Sequence, residues 1–276
     1  LKGLSSANPS TARNIVVVCG GGFTGIELAT ELPERLRSIL GRDSDVRVIL
    51  VERGDEIEPD LGPNSHPVIV QAFNDLGVEM KLSAAVIAIN AVSVVLATGK
   101  RLNTLTAVWT AGVVANELNK MVPGEKDKFG RLHVDGYLRT LSAKDIFATG
   151  DAAFAATDDE GNFALMSCRH AMRLGTSAGH NAAADLLDIG KIIYHQPDYT
   201  TCIDLGSFGA VVCDGWDRKV TYKGPQGKPI KQFINSTLIY PPKADQAEVF
   251  FGADPTVSGV DIARRLQPSV VENLKA

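Results

Sequence analysis

Val16-Val17-Val18-Cys19-Gly20-Gly21-Gly22-Phe23-Thr24-Gly25-Ile26-Glu27-Leu28-Ala29 decides how the rest of the chain is read. Ile15 to Val18 is an unbroken apolar run, the pattern of a parallel strand covered on both faces. Gly20, Gly22 and Gly25 fit G-x-G-x-x-G, and Phe23 to Leu32 continues with helical spacing. Gly20 permits a tight strand-to-helix turn, Gly22 lets the backbone approach a pyrophosphate, and Gly25 lets the helix pack closely on the strand. The helix N-terminus offers backbone N–H groups and a positive dipole end to phosphate. Gly20, Gly22, Phe23, Thr24 and Gly25 are therefore candidate contacts to a dinucleotide.

A second apolar run, Val46 to Val51, ends in Glu52. A carboxylate at that strand tip accepts hydrogen bonds from an adenosine ribose and repels a 2′-phosphate, which points to NADH. Glu52 stands 27 positions after Gly25, against about 20 in the usual fingerprint. The extra residues fit a turn at Gly41–Asp45 and a helix lengthened or broken at Pro33. Arg53 could reach a 2′-phosphate and so keeps NADPH open, but Glu52 precedes it and sets the preference.

The chain has 276 residues, enough for two or three domains. Its 45% hydrophobic and 22% charged content is ordinary for a globular protein, and a net charge of −4 gives no reason to expect nucleic acid. No apolar run approaches the length of a membrane span. The sequence opens at Leu1 rather than Met, so targeting is not legible from it. Cys19, Cys168, Cys202 and Cys213 show no C-x-x-C or metal-type spacing, and a reducing compartment with no structural disulfides is the simplest reading; a cytoplasmic location is the expectation.

Residues 1–13 read as a linker and 14–112 as one α/β unit. Within it, Pro67 to Leu76 reads as a helix stopped by Gly77, and Val78 to Leu82 as a third strand. Two short runs turn near Asn90, and Ala107 to Gly112 reads as a strand entering a glycine turn. A polar loop is expected from Glu52 through Pro63. Residues 113–189 contain a short strand ending in Gly150-Asp151 and a helix from about Ala164 to Asp188. Residues 190–276 read as strand-rich, with turns at Gly215, Gly224 and Gly227.

In this order, the strings GGGFTGIELA, VERGDEI, FNDLGVEM, VWTAGV and DGYLRTLSAKDIFATGDAA resemble the two-dinucleotide flavoprotein reductases. VWTAGV and CIDLGSFGAVV make the chain most similar to the type II NADH dehydrogenases rather than to disulfide reductases. The resemblance implies an α/β protein: a Rossmann-like NADH-binding fold inserted in a partial FAD-binding fold, followed by a strand-rich C-terminal domain. It implies FAD and NADH as cofactors, with hydride passing from NADH through flavin to an acceptor such as a quinone. The glycine turn that grips FAD phosphates is expected in an N-terminal segment, of the same or another chain, as a partner.

The resemblance also assigns residues. Glu27 matches the acid that faces nicotinamide and flavin and is the catalytic candidate. Ala111 and Gly112 match a turn where backbone approaches NADH or links back toward the FAD fold. Gly150, Asp151 and Ala152 match the strand end whose acid hydrogen-bonds flavin. Arg169 and Arg173 stand where glutamines are usual beside flavin and quinone, a departure from the pattern. His170 reads as a satisfied histidine rather than a proton relay, and Cys168 as structural. Arg218, Lys219, Lys223, Lys228 and Lys231 form a basic stretch that reads first as a solvated hairpin face and second as a contact to anionic lipid. Val257 to Leu274 carries a weak apolar stripe broken at Pro268. Peripheral attachment to the inner face of a membrane and a homodimer are left open. The rival readings are an NADH-binding fragment or sensor without turnover, and another NAD(P)H-dependent flavoprotein reductase.

Overall fold

The computed structural model describes residues 1–57 and 61–266. The loop read from Glu52 through Pro63 and the stripe read to Leu274 thus fall partly outside the described residues. The chain forms two compact units. One combines residues 1–112 with 200–232, and the other combines 113–199 with Phe233 onward.

The first unit is built on β1 (Ile15–Cys19), β2 (Arg47–Val51), β3 (Val78–Lys81) and β7 (Thr106–Trp109). They form a parallel sheet in the order β3-β2-β1-β7. α1 (Phe23–Leu40) links β1 to β2, and α2 (Gly62–Leu76) lies between β2 and β3. Val16, Val18, Val48 and Leu50 face these helices and pack on Ile26, Leu32, Leu36, Ile69 and Phe73. The alternate residues Ile15, Val17, Cys19, Ile49 and Val51 face an antiparallel meander of β4 (Val86–Asn90), β5 (Ser93–Leu96) and β6 (Arg101–Asn103) through Val94, Leu96 and Leu102. Both faces of β1 are covered, which is why its sequence does not alternate.

A second antiparallel sheet, β10 (Thr200–Asp204), β11 (Ala210–Asp214) and β12 (Lys219–Gly224), joins the helix side. Its Ile203, Leu205, Val211 and Cys213 enter the same core as α1 and α2. The second unit holds a short parallel pair, β8 (Leu132–His133) and β9 (Ala153–Phe154), and α3 (Cys168–Leu186). Leu138, Ala155, Ala164, Leu174, Ala178 and Tyr194 form its core. α4 (Lys228–Phe233) spans the change of unit, and α5 (Gln246–Ala253) and α6 (Gly259–Leu266) follow. Among the described residues, no helix is long and apolar enough to cross a membrane.

Several expectations need correction. The strand-rich later region is present as β10–β12, but it does not extend through residues 190–276: the strands end at Gly224, helices follow, and the strands belong with the first 112 residues. Their apolar side chains complete the core over α1 and α2, a long-range match that no local pattern reports. Residues 1–13 are not a bare linker. They form short 3-10 turns at Lys2–Leu4 and Ala12–Asn14, and Leu4 is buried in the main core. Of the two alternatives at Pro33, a lengthened helix is the one observed, and α1 is not broken there. It continues to Leu40, with Leu32, Pro33 and Leu36 buried, and this packing outweighs the roughly 3 kcal/mol a mid-helix proline costs. The stretch before Gly150 is no full strand either. Phe147 makes one isolated bridge to Arg139, with Thr140 N donating to Ile146 O and Ala148 N donating to Leu138 O.

Candidate functional site

The glycine turn lies at the carboxyl end of β1, an interior strand flanked by β2 and β7. In open α/β sheets, ligands bind at this edge, at the point where the strand order reverses. Two of the three fingerprint glycines are required by the geometry. Gly20 has φ +120°, and a Cβ there would lie 2.6 Å from Thr110 O. A Cβ on Gly25 would lie 1.9 Å from Gly20 O, so the helix start rests directly on the turn. Gly22 is the N-cap of α1, with no side chain to cap it, and the first intrahelical bond runs from Ile26 N to Gly22 O. Phe23 and Thr24 open the helix, so their amides belong to its first turn, whose N–H groups point out of the end.

Glu52 follows β2 immediately and turns back toward the glycines. Its Oε2 accepts from Gly21 N at 2.7 Å and its Oε1 from Gly54 N at 2.8 Å. These two bonds fix the carboxylate and leave further lone pairs on both oxygens. Arg53 is exposed beside it. At the end of β7, Ala111 and Gly112 are exposed, and Gly112 N donates to Thr110 O at 2.9 Å in a turn with φ +93°. Sequence reading missed Thr110. Its Oγ1 lies 3.1 Å from both Cys19 O and Gly20 O, tying the end of β7 to the glycine turn. Its only signal was its place just before Ala111-Gly112.

Glu27 lies on α1 facing the β10 side. Its Oε1 is 2.7 Å from Lys231 Nζ and accepts from Asp204 N at 3.0 Å. Lys231 Nζ also donates to Cys202 O at 3.0 Å. Lys228 Nζ pairs with Asp204 Oδ1 at 2.6 Å and reaches Gly206 O at 2.9 Å. Glu27 is thus neither a solvent-facing helix residue nor a lone carboxylate. It belongs to a chain of alternating charges linking α1, β10 and α4. Asp204 and Lys231 were not foreseen as its partners, nor Lys228 as the partner of Asp204, because about 180 to 200 residues separate Glu27 from this segment in sequence. The basic stretch is accordingly not one solvated face: Lys228 and Lys231 turn inward, Arg218 is buried, and Lys219 and Lys223 are exposed along β12. Burial pushes the Cys202 thiol up to about 12 and the Cys19 thiol to about 11.

In the second unit, Gly150, Asp151 and Ala152 form a 3-10 turn. Gly150 has φ +57°, Asp151 is exposed, and Ala152 O accepts from Asn119 Nδ2 at 3.1 Å. α3 packs behind this turn, where a Cβ on Gly150 would meet Ala171 Cβ at 3.6 Å. His170 is fully buried, stacked on Tyr199 at 4.6 Å, with Nδ1 3.5 Å from Tyr194 Oη. Arg173 holds the later chain, donating to Val257 O at 2.5 Å and Pro255 O at 2.9 Å.

The family model "pyridine nucleotide-disulphide oxidoreductase" matches residues 3–175. An NADH dehydrogenase-like protein of Mycobacterium tuberculosis is 42% identical over 260 residues, covering 93% of this chain and 65% of that protein. A type II NADH:quinone oxidoreductase of Staphylococcus epidermidis is 31% identical over 153 residues, 52% of this chain and 38% of that protein. A solved FAD-dependent pyridine nucleotide-disulphide oxidoreductase from Desulfovibrio vulgaris has a TM-score of 0.58 at 23% identity, covering 77% of this chain and 51% of that one. The chain thus spans about two thirds of the length of the curated relative it matches over most of its own residues. With its glycine turn at the carboxyl edge of a Rossmann-like parallel sheet, the chain belongs to the pyridine nucleotide-disulphide oxidoreductase family.

Proposed function

We propose that the chain binds NADH across Gly20–Gly25 and serves an FAD-dependent NADH oxidoreductase that delivers electrons to a quinone. One observation carries this reading: Glu52 is held by the Gly21 and Gly54 amides beside the glycine turn, at the carboxyl edge of the sheet. The residues fit the dinucleotide. Gly20 and Gly25 compact the turn, Gly22 lacks a side chain at the helix start, and the first-turn amides face outward to receive a pyrophosphate. Glu52 then accepts from the adenosine ribose hydroxyls and repels a 2′-phosphate. Ala111 and Gly112, exposed next to Thr110, line the far side of that edge.

Glu27 orients the nicotinamide end in this reading. Lys231 and the Asp204 amide fix the carboxylate, so it needs no reorganisation when the ring arrives. FAD supplies the two-electron chemistry between NADH and the acceptor. The exposed Asp151 in the Gly150–Ala152 turn is suited to accept hydrogen bonds from flavin hydroxyls. The grip on FAD phosphates is assigned to an N-terminal FAD-binding segment, which completes the second unit. A quinone acceptor is consistent with a cytoplasmic protein that attaches peripherally to the inner face of the membrane. A type II NADH:quinone oxidoreductase among the relatives supports that acceptor, and the arginines at 169 and 173 are the feature that departs from it.

The test is fluorescence titration of the purified chain with NADH and NADPH, before and after Glu52→Ala. The expected result is a preference for NADH that narrows in the variant. Equal affinity of the unmutated chain for both cofactors refutes the role of Glu52. NADH oxidation with a quinone, a dichlorophenol dye or a disulfide then identifies the acceptor. Binding of NADH without turnover, even with added FAD, marks the chain as a binding module.

A further inference from the structure

The first unit contains a second concave site on the other side of its sheet. A cavity of about 350 Å³ lies between the parallel sheet and the β4–β6 meander, near the amino ends of β1 and β2. Ile15 and Arg47 are the first residues of those strands, and Gly20 lies at the opposite end of β1, roughly 16 Å away at about 3.3 Å per residue. Lys81 reaches in from farther along the sheet, since it pairs with Val51, but neither the glycines nor Glu52 line the cavity, which is a site separate from the glycine turn.

Its composition is uneven. Ile15, Ile49 and Leu102 are buried and make an apolar floor, while Arg47, Lys81, Lys100 and Arg101 supply four cationic side chains. The strand register explains the convergence. Residues alternate faces along a strand, so Arg47 shares the meander side with Ile49 and Val51. Ile49 and Val51 pair with Glu79 and Lys81 of the edge strand β3, which puts those two on the same face. Lys100 and Arg101 arrive from the β5–β6 turn and the start of β6.

One of the four, Arg47, is already engaged by a carboxylate, and the other three carry the excess positive charge. Arg47 Nε and Nη2 bind Glu79 Oε1 and Oε2 at 2.6 and 2.9 Å, and Asp45 also acts on Arg47. Among the described residues, Lys81, Lys100 and Arg101 have no salt-bridge partner within 4 Å, although Lys81 feels the charge of Glu79. Converging cations over a partly dehydrated floor attract counter-anions more strongly than the same charges spread over a surface. An apolar floor favours an anion with a carbon body, and the volume is at the small end of ligand sites.

We propose that this cavity binds a small organic polyanion, a polycarboxylate or phosphate compound with at least two negative charges, at a site separate from the NADH turn. The experiment is isothermal titration of the full chain at low salt with citrate and, separately, pyrophosphate as probes. The same titrations are run on Lys100→Ala/Arg101→Ala and on the control Lys219→Ala. All three altered residues are exposed, and near-UV circular dichroism checks that each variant keeps its fold. Saturable binding of at least one probe is expected. It should weaken at least tenfold in the double variant, change less than twofold in the control, and weaken further as salt rises. Stronger binding of citrate identifies a carboxylate ligand, and stronger binding of pyrophosphate a phosphate ligand. Pyrophosphate captured at the glycine turn would survive the double substitution. Heat from neither probe, or binding unchanged in the double variant, overturns the proposal.

Discussion

Substituting Gly25 by Ala should damage the fold before it damages recognition. The added Cβ would sit 1.9 Å from Gly20 O and 2.9 Å from Thr110 Oγ1. Ordinary contact begins near 3.4 Å, so the start of α1 has to retreat by about 1.5 Å. That retreat lifts Ile26 and Ala29, both fully buried, from β1 and disturbs the tie between Thr110 and the turn. Overpacking costs about 1–3 kcal/mol, toward the upper end here because the clash is with backbone, and in the first helical turn the better propensity of Ala returns well under about 1 kcal/mol. For a protein of this size, each kcal/mol shifts Tm by about 2–4 °C, so a fall of several degrees is expected. Gly22→Ala is the contrast. Its φ of −77° suits Ala, so apart from the poorer N-cap that Ala makes, folding should suffer less than in Gly25→Ala while NADH affinity falls. The assay is thermal unfolding by circular dichroism together with NADH titration of both variants. A Gly25→Ala protein that melts within about a degree of the parent would show that the helix does not rest on the turn as described.

Three further outcomes follow from the charges and thiols. Lys231→Met strips the cation from the largely buried Glu27 pair and should cost about 1–3 kcal/mol in urea denaturation, with much of the loss recovered in Glu27→Gln/Lys231→Met; additive losses would show that the pair is not coupled. Burial pushes the Asp127 carboxyl up, but hydrogen bonds from the Arg131 amide and guanidinium and the Phe129 amide, with the Arg131 charge, hold it below its ordinary 3.8. Because the folded value is the lower one, this stabilisation is present above about pH 4 and is lost as pH falls through the folded value; Asp127→Asn should flatten the acid limb of unfolding, and an unchanged limb would disprove the contribution. With Cys19 and Cys202 pushed up to about 11 and 12 and Cys168 exposed, a disulfide-exchange reagent should modify Cys168 first in the native chain, and Cys168→Ser should remove the fast phase.

Local sequence was sufficient for the elements whose signals are local. The strand at Ile15–Cys19, the turn at Gly20–Gly25, the helix that follows and the acid after the second strand all lie within forty residues and obey short-range rules. The structure bears out the geometric demands at Gly20 and Gly25, where backbone atoms leave no room for a Cβ. Tertiary structure alone decided what depends on distant segments. That β10–β12 close over α1, that Lys231 and Asp204 seize Glu27, and that Thr110 locks the turn could not be read locally, because each joins residues some 90 to 200 positions apart. The same holds for Pro33, whose local cost argues for a break while buried contacts on both sides keep the helix intact. Periodicity and glycine spacing report which face of an element is apolar and where the backbone must bend. Which other element covers that face, and which opposite charge reaches a carboxylate, is set by packing of the whole chain, where burial outweighs local propensity.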